Sequence, residues 1–196
     1  MTWWWFNLRQ VDVTFLKTAT WIFEMNLELK DVDADTCWKI LTSKDDNFQY
    51  WHPEVTNITW YDNGKHRCVG SKRSIVFHDT VFDILLLGGC PLEEHFDIWD
   101  DTNYIWGFYM TRIGKPTFLT YTAVREEFRI IPKGDNGKNN GKNNGGCILH
   151  RKVAMEPSFL SRYLLGWLAY PRLRNVFEVK CPQRFRQALK EKKFKV

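Results

Sequence analysis

Two charged residues stand where a strand pattern points inward. Ser71, Arg73, Ile75 and Phe77 share one face of a strand, and Leu92, Glu94, Phe96 and Ile98 share one face of another. Successive strand residues point to opposite sides, so Arg73 and Glu94 travel with the apolar set. A charge in that setting needs a partner or a water-filled pocket, because burying it alone is costly. Arg73 is suited to hold a carboxylate, enolate or phenolate oxygen. Glu94 is suited to acid–base work, since apolar surroundings lift a carboxyl toward neutrality. A purely structural ion pair satisfies the same pattern, and both readings stand. His78 follows the first of these strands and is a third catalytic candidate, at the mouth of any cavity.

The remaining site candidates are ligand-contacting rings and hydroxyls. Tyr104, Trp106, Phe108 and Met110 form a third inward face, and Phe118, Thr120, Thr122 and Val124 a fourth. With Trp51, Phe77 and Phe96, the residues Tyr104, Trp106, Phe108, Thr120 and Thr122 are expected to line a pocket. Phe159, Tyr163 and Trp167, at i, i+4 and i+8 of a helical stretch, are expected to close it. Ten Trp, seven Tyr and fourteen Phe exceed what a core of this size requires. Rings also line pockets for flat or greasy ligands, although they can simply fill the interior. Tyr104 is a further proton-transfer candidate. His95 should point outward if Glu94 points inward, His150 has an ambiguous face, and His52 neighbours Trp51. No histidine pair has metal-ligand spacing, so no metal and no cofactor is expected. No nucleophile elbow or Cys/His arrangement is present.

The elements that must hold these residues follow from periodicity. Phe23, Met25, Leu27 and Leu29 alternate with polar residues in a half-buried strand. Asp33 or Asp35 caps a short helix carrying Ala34, Cys37, Trp38 and Leu41, and a second helical turn ends before Pro53. Strands are expected at 55–61, 69–77, 81–87, 92–99, 104–113, 118–131 and 147–156. Their short connections, such as Asp62-Asn63-Gly64-Lys65, indicate an antiparallel meander. Residues 133–146 repeat Gly-Lys-Asn-Asn and form a low-complexity loop. From Pro157 the chain turns helical, with Pro171 expected to kink or interrupt the helix and Pro182 to start or re-aim the last segment. Residues 1–18 have no clear period and read as an extension to a single domain spanning 19–196.

Specific residues carry a resemblance. Trp51-x-Pro53-x-Val55 precedes the second strand, Val69-Gly70-x-x-Arg73 opens the third, and Glu94-x-Phe96-x-x-x-Asp100 is followed by Tyr104. In this order the chain resembles the polyketide cyclase/dehydratase branch of the START and pollen-allergen-like (SRPBCC) superfamily, over roughly residues 20–190. It departs in its N-terminal segment, the apolar stretch around Val81–Cys90 and the 133–146 loop. The resemblance implies an α+β helix-grip fold, a curved antiparallel sheet wrapped around a long C-terminal helix with two short helices after the first strand. It also implies a central apolar cavity. Members bind lipids, sterols, hormones or polyketides, and some close rings or eliminate water.

Charge is unevenly distributed. Residues 180–196 hold seven basic side chains against Glu191, while the rest of the chain is close to neutral. Such a tail is either the solvated end of a helix or a weak contact for an anionic membrane; nucleic acid is not an expected partner. Five scattered cysteines without Cys-x-x-Cys fit free thiols in a reducing, cytoplasmic setting. No apolar run is long enough to span a membrane. Three functions remain: binding a hydrophobic small molecule, cyclase or dehydratase catalysis, and a peripheral module using the Trp3–Phe6 cluster and the basic tail.

Overall fold

The computed structural model describes residues 5–52, 54–61, 67–77, 90–114, 121–133, 145–159 and 161–195. His78, Thr120, the expected strand 81–87 and most of the 133–146 loop lie outside them.

The described strands are β1 (Trp5–Asn7), β2 (Trp21–Leu29), β3 (Val55–Trp60), β4 (Lys72–Phe77), β5 (Cys90–Asp100), β6 (Ile105–Gly114), β7 (Tyr121–Pro132) and β8 (Cys147–Pro157). They form one antiparallel sheet in the order β2-β8-β7-β6-β5-β4-β3, with β1 paired to β6. Helices α1 (Phe15–Thr18), α2 (Ala34–Thr42) and α3 (Asp45–Trp51) precede the meander. The C-terminal run contains α4 (Gly166–Arg174) and α5 (Cys181–Lys190). This is the helix-grip arrangement that the resemblance implies.

Alternation explains the inner face. In β2, Trp21, Phe23, Met25, Leu27 and Leu29 are buried while Glu24, Asn26 and Glu28 are exposed. The same period buries Trp106, Phe108 and Met110 in β6, and Leu149, Arg151, Val153 and Met155 in β8. Helix α2 starts where Asp33 accepts from the Thr36 amide at 2.8 Å, and it buries Cys37, Trp38, Ile40 and Leu41 against the sheet. Gly70 has φ +93, a left-handed conformation that side chains rarely adopt. That bend lets Gly70 N donate to Phe96 O at 2.8 Å and Phe96 N to Ser71 O at 3.0 Å, and it aims β4 so that Arg73 faces Glu94.

In the C-terminal helix Pro182 starts the last segment, as expected, while Pro171 does not interrupt the chain's helical turns. The turns continue from Ser161 to Lys190 through both prolines. Pro171 sits inside α4 and Pro182 in the first turn of α5. Widened π turns at Ser161–Leu165 and Asn175–Lys180 flank α4. Proline at a helix start has no hydrogen bond to lose, and π turns absorb register changes without ending a helix. The helix is irregular rather than interrupted.

The N-terminal segment is packed on the body despite its lack of period. β6 and β7 pair only from Ile105 to Tyr109 on the β6 side. Beyond that, residues 5–9 run between them. Trp5 to Asn7 pair with Gly114 to Arg112, Leu8 N donates to Thr111 O, and Arg9 N donates to Thr122 O, both at 2.8 Å. Phe15 and Leu16 then cover Ala123 and Ala154 on the sheet's outer face. They are joined there by fully buried Arg125, which donates to Asp97 at 2.8 and 3.0 Å and to Val11 O at 3.0 Å.

Candidate functional site

Arg73 and Glu94 lie directly opposite each other on β4 and β5. The Arg73 Nε donates to Glu94 Oε2 at 2.5 Å, and both side chains are almost wholly buried. The Arg73 guanidinium lies 5.0–5.7 Å from the rings of Phe48, Trp60, Phe96, Trp106 and Phe108. Ring faces thus stand where water would otherwise solvate the cation. Burial pushes the Glu94 carboxyl up to about 7, against the opposing pull of Arg73.

A second pair repeats the arrangement across the sheet. Arg151 of β8 donates through Nε to Glu126 of β7 at 2.5 Å, again nearly without exposure. Its guanidinium lies 4.9–5.2 Å from Trp51, Phe128 and Phe177, and its Nη1 is 3.7 Å from the Cys181 sulfur. The charge on Glu126 adds to the rise of Glu94 and that on Arg151 opposes it, so the two pairs form one electrostatic unit. This pair was not assigned from the sequence. The signal was present: extending the Val124 face gives Glu126 and Phe128, and alternation in β8 gives Leu149, Arg151 and Val153.

His52 is the third unassigned interior group. It caps α3, is 1% exposed, and stacks on Phe48 with centroids 5.3 Å apart. Burial and the surrounding arginines hold its imidazole well below the usual histidine range, so it is neutral. Both of its ring nitrogens are buried without a hydrogen-bond partner, as are Trp51 Nε1, Trp106 Nε1 and Arg73 Nη2. Buried polar atoms are rarely left unpaired, and these five sit in one aromatic interior.

The expected ligand-lining residues divide. Trp51, Phe96, Trp106 and Phe108 are interior, at 2% exposure or less. Trp106 stacks on Phe128 at 4.1 Å. Phe77 is half-buried and meets His52 edge-on at 5.3 Å. Tyr104 packs at the edge of the core, its ring 6.0 Å from Trp38; its left-handed backbone, φ 53, ends the turn before β6, and its hydroxyl donates to Asp35. Thr122 is corrected. A register shift between Tyr121 and Ala123 puts Tyr121 against the core, with its ring 6.1 Å from Trp21, and leaves Thr122 exposed. The helix stripe is the largest correction. Phe159, Tyr163 and Trp167 are 77%, 64% and 76% exposed, so they do not close the interior. Ser161 and Ala169 are buried instead, and Gly166 lies against Trp21. Small residues let the helix approach, and the large rings on the opposite side face solvent.

Of the other described histidines, His95 pairs with the Tyr109 hydroxyl at 2.7 Å and His150 with Glu24 at 2.7 Å. Among the described residues, no cluster of metal-ligating side chains occurs, and Cys37, Cys68, Cys147 and Cys181 are free thiols. No described helix is long and apolar enough to cross a membrane. The tail folds back, with Lys195 N donating to Asn47 Oδ1 at 2.9 Å and the Phe194 ring 4.9 Å from Phe185.

Beside Arg73 lies a space of about 10 Å³, lined by Leu41, Trp60, Arg73, Phe96, Trp99 and Trp106 among others. That is room for one water-sized group. It reaches the rim at Asp45 and Arg67, whose side chains pair at 3.3 Å.

No family model matches the chain, and no curated protein is similar to it in sequence. Solved structures are similar in fold. Norcoclaurine synthase from Thalictrum flavum, in complex with dopamine and hydroxybenzaldehyde, is 13% identical with a TM-score of 0.57, covering 97% of this chain and 98% of that one. Ginseng major latex-like protein 151 from Panax ginseng is 12% identical with a TM-score of 0.54, covering 86% and 95%. A START superfamily protein from Mycobacterium smegmatis is 11% identical with a TM-score of 0.52, covering 87% and 95%. The chain therefore shares the helix-grip fold of these structures.

Proposed function

We propose that this protein binds a hydrophobic small molecule, of lipid, sterol or polyketide-like type, that carries an oxygen acceptor. The acceptor would lie in the interior beside Arg73 and Trp106. One observation carries the reading: Arg73 and Trp106, each with a buried donor that lacks a partner, both line the same small space between α2 and the sheet. A ligand oxygen there satisfies groups whose burial otherwise costs about 1–3 kcal/mol each. The surrounding rings supply apolar contact. Opening the Asp45–Arg67 pair and shifting the neighbouring rings would admit the ligand. The likeness to norcoclaurine synthase supports a fold able to hold aromatic small molecules.

A second reading, cyclase or dehydratase catalysis, is favoured by one feature. Glu94 has a carboxyl near neutrality beside a fixed cation. It can move a proton at a ligand carbon or oxygen while Arg73 holds the developing oxyanion.

Native mass spectrometry of the purified protein, with organic extraction, tests for a co-purifying apolar molecule. Titration with anilinonaphthalene sulfonate supplies a defined probe. Trp106→Phe removes one donor at nearly constant volume and should weaken probe binding about fivefold or more. Unchanged affinity in that variant, with no co-purifying molecule, would count against the reading. Should a substrate be found, Glu94→Gln is expected to bind it and stop its conversion. Retained turnover would remove the catalytic role of Glu94.

A further inference from the structure

The start of the C-terminal helix has its apolar weight on the wrong side for a packed helix. Its buried positions are Ser161 and Ala169, with Gly166 set against Trp21. Its outward positions are Phe159, Tyr163, Trp167 and Leu168, between 42% and 77% exposed. The rings of Phe159 and Tyr163 pack together at 4.6 Å, and Trp167 and Leu168 are exposed on the next turn. Exposed apolar residues grouped in this way mark a site of contact with something else.

The chemistry of the stretch indicates what. Residues 157–177 contain Arg162, Arg172 and Arg174 and no acidic residue. The Arg162 guanidinium lies 5.9 Å from the Tyr163 ring, beside the stripe, whereas Arg174 is shared with Glu178. Trp and Tyr settle at the boundary between headgroups and acyl chains, and arginine favours anionic headgroups. A helix that lies in that boundary shows this combination of outward rings with flanking cations.

We propose that the exposed face Phe159–Leu168 inserts into the headgroup region of an anionic bilayer and docks the protein there. The occupant is a lipid surface, not a second protein, because the stripe pairs rings with cations and lacks the acids that a self-complementary face would need for Arg162. This assignment does not depend on the interior site, and it differs from membrane contact through the basic tail.

The test is co-sedimentation of the full chain with vesicles of phosphatidylcholine, alone or with phosphatidylserine, at low salt. The wild type is expected to bind the phosphatidylserine vesicles. Phe159→Ser/Tyr163→Ser/Trp167→Ser should bind about tenfold less or weaker, with its melting temperature retained. Tyr163→Glu, a single exposed change, gives the same readout should the triple variant fail to fold. Lys190→Ser/Lys192→Ser/Lys193→Ser should bind within about threefold of wild type, since the stripe and not the basic tail makes the contact. The proposal is overturned if wild type binds neither vesicle, or if binding is unchanged by the stripe variants and lost in the lysine variant. It is equally overturned if sedimentation velocity shows a wild-type dimer that the stripe variants dissolve without any vesicle binding.

Discussion

Two aromatic-rich surfaces of this molecule have opposite fates. On the sheet's inner face, Phe96, Phe108 and Phe128 are wholly buried around the two Arg–Glu pairs. On the helix that crosses that face, Phe159, Tyr163 and Trp167 stand in solvent beside residues small enough to touch the sheet. Ring content alone therefore does not determine burial. In a strand the partner strands fix the face, because a one-residue slip would turn every side chain over. In a helix the face that packs is the one that lets two backbones come closest, and Ser161, Gly166 and Ala169 provide it.

The largest way to break this contrast lies in the interior. Arg151→Met leaves Glu126 buried without its partner and should cost about 3–5 kcal/mol, whereas Arg151→Met/Glu126→Leu should recover most of that loss. Urea unfolding measures both. A single variant within about 1 kcal/mol of wild type would mean that water reaches the pair.

A smaller effect is expected from pH, and two interior groups should pull in opposite directions. Glu94 is raised in the folded state from an ordinary value of 4.5 to about 7. The folded protein then holds a proton that the unfolded chain releases, so this contribution to stability falls as pH rises from about 4.5 to 7. His52 is lowered below its ordinary value of 6.5. The unfolded chain takes up the extra proton, so its contribution is present above pH 6.5 and is lost as pH falls below it. Thermal unfolding from pH 5 to 8 should show Glu94→Gln gaining on wild type as pH rises, and His52→Gln gaining as pH falls. Parallel curves for wild type and Glu94→Gln would show that Glu94 does not change its proton affinity on folding.

The smallest effect sharpens the comparison from the other side. Phe159→Ser, Tyr163→Ser and Trp167→Ser should each change stability by no more than about 0.5 kcal/mol, the usual range for surface positions. A loss of several kcal/mol at any of them would mean that the ring is packed in solution.

How far the sequence could be read follows the same division. Strand alternation placed Arg73 opposite Glu94 and buried Phe96, Trp106 and Phe108, because period two leaves no freedom once one face is apolar. It could have placed Arg151 and Glu126 by the same rule. It could not place Thr122, because the register shift beside Tyr121 changes the phase without leaving a residue-type signal. The left-handed turn at Tyr104, at a residue other than glycine, carries no sequence signal, although its ring still reaches the core edge. His52 lies at the end of a short helix, where no periodicity applies. The helix stripe misled because i, i+4, i+8 identifies a face without saying whether it meets the sheet or the solvent.

The central claim is that a ligand oxygen seats beside Arg73 and Trp106. Tryptophan indole N–H signals followed by two-dimensional nitrogen–proton correlation, and assigned with Trp106→Phe and Trp167→Phe, report both aromatic surfaces in one titration with anilinonaphthalene sulfonate. The account predicts a saturable shift of the Trp106 signal. A shift confined to Trp167, with Trp106 unmoved at saturation, would contradict it.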